Sequence, residues 1–288
     1  MLKKILKIIA LCLVILAAAA AVYWQVNGDR LRAEYATFKK SAAPVLMYHA
    51  VGPEVGADWP KTLIMPEELF ESHLKYLKDS GYTIVSVEQL AARLEQGENV
   101  DKYIALSFDD GYKNNHSVVL PLLQKYDAKA SFFVINKDIG DAIHMNEAEI
   151  KDMIAHGMEL GSHTTSHAPL AKIDEKYLAW ELATSRYYLK KNFDGYIVRT
   201  LAYPNGNYND TVISEAQRYG FYRALTGKVG VNTAESYKKA PMEMYRVTVA
   251  DDGSGVQGLA DRIEKAYLWG FLQTKGIDLN IIRNIFVW

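Results

Sequence analysis

Tyr103-Ile104-Ala105-Leu106-Ser107-Phe108-Asp109-Asp110-Gly111 is the stretch on which the reading of this chain turns. Six residues suited to a buried strand run into two carboxylates and a glycine, so a strand end delivers acid groups into a turn. The pattern recurs. Met158–Gly161 runs into Ser162-His163-Thr164-Thr165-Ser166-His167, and Ile197–Tyr203 into Pro204-Asn205-Gly206. A weaker example is Pro44–Tyr48, which ends at His49.

Between these strands lie helices with legible start and stop signals. Pro66, Glu67 and Glu68 open a helix with Phe70, Leu74 and Leu77 on one face, stopped by Gly81. Ser86 with Gln89, and Asn146 with Glu149, have capping-box spacing, and Gly97 and Gly157 close the helices they begin. Asn115–Tyr126 reads as a helix interrupted by Pro121. Asp174 starts a longer one, and Asn209 caps another. With Tyr82–Val87, Ala130–Ile135, Phe221–Leu225 and Met244–Val249 as further strands, the order is strand, helix, strand throughout. Such βα units give a parallel sheet. Seven or eight of them in about 210 residues fit a distorted (β/α)7-8 barrel, the size range of a closed parallel barrel. Leu259, Ile263, Ala266, Tyr267 and Phe271 mark one more helix, and Ile281–Trp288 an apolar tail.

The N-terminus has its own logic. Lys3, Lys4 and Lys7 precede an uncharged run, Ile8–Trp24, which as a helix covers roughly 25 Å at ~1.5 Å per residue. That favours an N-terminal transmembrane helix with the lysines on the cytoplasmic side. A cleaved signal peptide is the competing reading, because Ala17–Ala21 offers cleavage sites. The expected organisation is an anchor or signal segment over 1–25, a charged helical linker over 26–43, a catalytic barrel over 44–252, and a helix with a tail over 253–288. The working part is expected outside the cytoplasm, anchored in the cell membrane or secreted.

Composition excludes several classes. Of 288 residues, 49% are apolar and 23% charged, which excludes wholesale disorder. Thirty-three basic against 34 acidic residues leave a formal charge of −1, which argues against a nucleic-acid binder working by bulk charge. The one cysteine, Cys12, excludes an intrachain disulfide and a thiolate zinc site. Any metal must be held by imidazole and carboxylate. His163 and His167 face one way if the chain turns helically after its strand, and with one carboxylate they form a common divalent-metal set. Of two adjacent aspartates on a strand end, one can bind metal while the other serves as general base.

These strings resemble the polysaccharide deacetylases of carbohydrate esterase family 4, which share the NodB homology domain. Ser107-Phe108-Asp109-Asp110-Gly111 is similar to the first motif of that family and His163-Thr164-Thr165-Ser166-His167 to its second. The resemblance implies Asp109 as catalytic base and Asp110, His163 and His167 as ligands of one divalent ion, zinc foremost, with cobalt, nickel or manganese as alternatives. The third motif departs from the family pattern. It reads Ala202-Tyr203-Pro204-Asn205-Gly206, with Ala202 where an arginine usually steadies the base and Asn205 where a tyrosine usually stands. The Asn205 N–H still suits an oxyanion.

Departures of this kind are similar to the poly-β-1,6-N-acetylglucosamine deacetylases of biofilm formation. There the proton-donating histidine lies on the first strand, which Leu46-Met47-Tyr48-His49-Ala50-Val51 resembles. His49 is then the expected general acid. Arg246, in Tyr245-Arg246-Val247, is expected to replace the missing arginine, with Arg199 as competitor. The implied activity is metal-dependent removal of N-acetyl groups from an extracellular N-acetylglucosamine polymer. Peptidoglycan or chitin-type β-1,4 chains, or a degenerate glycan-binding protein, are the alternatives. The expected partners are the polysaccharide and the membrane, with no nucleic acid. His73, His116, His144 and His156 are read as surface, helix-end or loop residues, and Trp59 as a candidate sugar-stacking side chain.

Overall fold

A computed structural model of the chain describes residues 4, 14–15, 25–52 and 63–277. The chain divides into two compact units, Met1–Lys39 and Lys40–Trp288. In the first, the described part is mostly a helix over 25–40, whose Arg30–Glu34 and Arg32–Asp29 pairs are exposed. The apolar run expected to anchor the chain lies almost entirely outside the described residues. Among the described ones, no helix is long and apolar enough to cross a membrane.

The second unit is built around an eight-stranded sheet in which every pairing is parallel. Its strands are β2 (Val45–Tyr48), β5 (Thr83–Val85), β6 (Tyr103–Phe108), β7 (Ser131–Val134), β8 (Glu159–Ser162), β9 (Thr200–Ala202), β10 (Arg223–Leu225) and β12 (Val247–Thr248). The order is β10-β9-β8-β7-β6-β2-β12, with β5 on β6. The two ends of this series meet. Leu225 of β10 bridges Met244 in parallel, and three residues on the same segment pairs with β2, Val247 opposite Leu46. The sheet therefore curls into the expected distorted barrel. Each strand lies within the stretch expected for it or within one residue of it, because buried parallel strands read as short apolar runs.

The helical layer follows the capping chemistry. Helix α1 (Glu67–Asp79) buries Phe70, Leu74 and Leu77. Helix α2 (Val87–Gln96) has its Ser86/Gln89 box formed and Gly97 in the left-handed region. Asn115–Val119 is a π-helical turn leading into α3 (Leu120–Lys125). Pro121 lacks the N–H that a continuous α-helix would need there, which accounts for the interruption. Helices α4 (Glu147–Ala155), α5 (Glu175–Asn192) and α6 (Asp210–Arg218) start at Asn146, Asp174 and Asn209.

Two boundaries differ from expectation. Strand β1 (Ala42–Ala43) pairs antiparallel with β11 (Asn232–Thr233), inside the stretch read as linker. Two alanines carry no periodic signal, so only the pairing reveals them. After α7 (Ala234–Lys239), helix α8 (Gly255–Thr274) buries Leu259, Ile263, Ala266, Tyr267 and Phe271 and packs on α1, as part of the barrel's outer layer. The short strands β3 (Ala50–Val51) and β4 (Ile64–Met65) flank residues 53–62 and had no signal of their own. Trp59, and the tail from residue 278, fall outside the described residues.

The core fixes the strand ends. Tyr48, Phe108 and Phe132 stack in series, with centroids 5.4 and 4.9 Å apart, and Phe70 packs edge-on against both Tyr48 and Phe108. These rings lie just before His49 and Asp109, so a packed core anchors two of the candidate site residues.

Candidate metal centre and active site

Three side chains converge at the C-terminal ends of β6 and β8. His163 Nε2 is 3.4 Å from Asp110 Oδ1, and His167 Nε2 is 3.7 Å from the same oxygen. One ligand atom from each residue lies within 4.8 Å of the others. Two ligands about 2.0–2.1 Å from one tetrahedral ion stand roughly 3.3 Å apart, so the spacing suits a small divalent cation. Asp110 Oδ1 is also buried without a hydrogen-bond partner. A carboxylate oxygen left bare between two imidazole nitrogens is costly unless a cation shares it. The residues present fit the metal that the sequence implied.

Two of the three candidate ligands, His163 and Asp110, are aimed by a second contact. His163 Nδ1 donates to the Ala202 carbonyl oxygen at 2.8 Å, which places its lone pair on Nε2. Burial pushes the His163 pKa down, opposed by Asp109 and Asp110, and the neutral ring is the form that ligates. Asp110 Oδ2 accepts from the Tyr112 hydroxyl at 3.1 Å, and Tyr112 stacks on His144 at 5.1 Å.

The helical turn expected between His163 and His167 is not what brings them together. Thr164 and His167 have φ of 69° and 58°, and the segment is an irregular turn. Asp110 (φ 72°) and Asn205 (φ 54°) share the left-handed region. Of the seven described non-glycine residues with positive φ, these four belong to the site, where local strain commonly concentrates. Gly111 cannot be replaced by a residue with a side chain. Its φ is 82°, and a Cβ there would lie 2.9 Å from Val134.

Asp109, beside Asp110, faces a different partner. Arg246 Nη1 donates to both carboxylate oxygens at 2.8 Å, and Arg246 Nε donates to the Thr226 carbonyl at 2.8 Å. Both side chains are almost wholly buried. Burial pushes the Asp109 carboxyl up, but Arg246, helped by His163 and His49, outweighs it and holds the pKa at about 2. Ala202 contributes its carbonyl to His163, and Arg246 supplies the guanidinium beside Asp109. Arg199, the competitor, is bound to Glu88 at 2.7 Å and does not line the site.

His49, Asn205 and Arg246 line one cavity of about 490 Å³ with Asp110, His163 and His167. The backbone of β2 is tied to the site: the Asp109 N–H donates to the Tyr48 carbonyl at 3.0 Å, and Asn115 Nδ2 to the His49 carbonyl at 3.0 Å. Asn205 is solvent-exposed at the rim.

The sequence reading missed part of the wall. His144, read as a loop residue, is buried, lines the cavity, and holds Asp141 through Nδ1 at 2.9 Å. Nothing local marks it, because its partner Tyr112 is reached only when the 139–146 loop bridges to Tyr112. Tyr112 itself could have been found, two residues beyond Asp110 in the same turn. His73, read as a surface residue, is buried and sits 3.2 Å from the Tyr48 hydroxyl.

Comparison with known proteins places this geometry. A family model described as polysaccharide deacetylase matches residues 96–224. YxkH of Bacillus subtilis (strain 168), whose name places it among the polysaccharide deacetylases, is 32% identical over 239 residues, 82% of this chain and 81% of that protein. The poly-β-1,6-N-acetyl-D-glucosamine N-deacetylase of Staphylococcus aureus (strain N315) is 24% identical over 278 residues, 87% of this chain and 93% of that protein. Among solved structures, the Streptococcus pyogenes deacetylase PplD, in complex with acetate, superposes with a TM-score of 0.69 at 27% identity, covering 78% of this chain and 99% of that one.

Proposed function

The chain belongs to the polysaccharide deacetylase family, and from that premise we propose that it is a metal-dependent hydrolase removing N-acetyl groups from an extracellular N-acetylglucosamine polymer, poly-β-1,6-N-acetylglucosamine foremost. The observation that carries the reading is the bare, buried Asp110 Oδ1 between His163 and His167, with Asp109 clamped by Arg246 alongside. The likeness to the Staphylococcus aureus enzyme over most of both chains supports the choice of polymer.

Asp110, His163 and His167 would hold the divalent ion, which when bound would supply Lewis acidity toward the acetyl carbonyl and lower the pKa of water. The protein's own groups do the rest. Asp109, kept deprotonated by Arg246 and fixed in direction by it, takes a proton from the attacking water. The Asn205 N–H, at the rim, donates to the developing oxyanion. His49, on the β2 side of the cavity, gives a proton to the departing nitrogen as the C–N bond breaks, because an amine leaves poorly as an anion. The products are acetate and a primary amine, cationic at neutral pH, which would bind the polymer to anionic surfaces.

The proposed setting is extracytoplasmic, with residues 1–25 as the tether, or secretion if they are cleaved. The test is acetate release by the full chain with added Zn²⁺, Co²⁺ or Ni²⁺ on matched β-1,6 and β-1,4 oligomers. Turnover of the β-1,6 series supports the proposal. Turnover of β-1,4 chains alone would move the substrate to peptidoglycan or chitin-type glycans, and no release from any acetylated glycan would leave a binding protein.

A further inference from the structure

Helix α5 turns one carboxylate inward. Its buried face carries Leu178, Leu182, Ser185 and Leu189, and among them Glu181, with no exposed surface. A carboxylate there is costly unless its oxygens are hydrogen-bonded. The donors come from one loop. Glu181 Oε2 accepts the N–H groups of Thr165 at 2.8 Å and Ser166 at 2.9 Å, and the Ser166 hydroxyl donates to Oε1. The Thr165 hydroxyl returns a bond to the Glu181 carbonyl at 2.9 Å. One helical turn on, the Ser185 hydroxyl meets that of Ser162, which accepts the Thr164 N–H at 3.1 Å.

The loop so gripped is the one that separates the two histidines. From its other side, the N–H groups of Asn136 and Lys137 donate to the carbonyls of Thr164 and Thr165 at 3.2 and 3.0 Å. Both ends of the loop, Thr164 and His167, hold positive φ, a conformation that non-glycine residues keep only when their surroundings impose it. Packing alone would be served by a leucine at position 181. A carboxylate is the group that can take two adjacent N–H donors and a hydroxyl at once.

We infer that Glu181 is a positioning residue for the metal centre: by accepting the Thr165 and Ser166 donors it sets where His167 Nε2 stands relative to Asp110 and His163. The inference rests on the reading of those three residues as metal ligands, and it extends the ligand set to a support that touches neither metal nor substrate.

The test is metal affinity of the full-length apo-protein, probed with Zn²⁺ alone in competition with a chelator. Glu181→Gln keeps the volume but removes the negative charge that the two N–H groups share and replaces Oε1, the acceptor of the Ser166 hydroxyl, with an NH₂. It is expected to weaken Zn²⁺ binding by about 10- to 100-fold, the usual effect of losing a residue that orients a ligand. It should also alter the visible absorption of the Co²⁺-loaded protein, because the ligand geometry around the ion changes. Parent-like affinity with a parent-like Co²⁺ spectrum would overturn the inference. Should Glu181→Gln fail to fold, Ser166→Ala removes only the hydroxyl donor, with an expected loss of roughly 3- to 10-fold in affinity. An unchanged affinity in folded Ser166→Ala would also overturn it. A parent that binds Zn²⁺ but releases no acetate removes the proposed reaction and leaves the role of Glu181 standing.

Discussion

Strands β6 and β8 present their chemistry as contiguous strings, Ser107–Gly111 and His163–His167, whereas His49, just after β2, and Arg246, just before β12, reach the same cavity without belonging to any such string. Within a string, local backbone geometry does most of the placing, because Asp110 and Gly111 turn the chain at the strand end. For Arg246 and Asp109, 137 residues apart, only sheet register does so: β12 lies beside β2, and β2 beside β6. Ala202 stands on β9, and the guanidinium that reaches Asp109 comes from the start of β12, two strands from β6.

The first way to press on that comparison is to remove a string residue. His163→Ala should abolish both metal retention and turnover, with activity at least ~10³-fold down, since two remaining ligands cannot hold the ion; metal content after dialysis checks it. Asp109→Asn should cut turnover by about 10²- to 10⁴-fold, the range of general-base catalysis, with metal still bound. If it also lost metal, the division of labour between the two aspartates would be wrong.

The long-range contacts should fail differently. Arg246→Met leaves Asp109 buried without its cation and should cost about 3–5 kcal/mol of stability in denaturant unfolding. Adding Asp109→Asn should restore much of that loss, because it removes the uncompensated charge. His49→Ala should lower turnover by about 10²-fold, the lower end for a proton donor, with metal and stability near parent values. Near-normal turnover would take β2 out of the chemistry.

The smallest effect is in acid. The Asp109 pKa is lowered on folding, from the ordinary ~3.9 to about 2, so its contribution is complete above pH 4 and is lost as pH falls toward 2. On the order of 2 kcal/mol is at stake, by the usual conversion of a pKa shift. Acid unfolding of the parent should therefore steepen between pH 4 and 2 relative to Asp109→Asn; parallel curves would show that Arg246 does not hold the carboxyl low.

How much could be read in advance follows the same division. The capping boxes at Ser86 and Asn146 and the apolar strand runs were legible because their causes are local: one turn of hydrogen bonds, one buried face. His73 was misread, and the place of the loop residue His144 in the cavity wall went unseen, because a lone imidazole carries no pattern, and burial beside Tyr112 or Tyr48 is a property of the packed fold. Glu181 left a trace, a charge at an inward position of an amphipathic helix, but the donors that explain it lie in another segment.

By itself the chain specified alternating strands and helices, which strand ends carry acid and imidazole, and a ligand set without thiolate. Its local propensities and side-chain inventory are enough for that. The tertiary structure decided which arginine steadies Asp109, how a strained loop rather than a helix brings His167 to His163, and what buries the walls. Those outcomes depend on sheet register and on burial, which take free-energy meaning only when distant segments share one desolvated space.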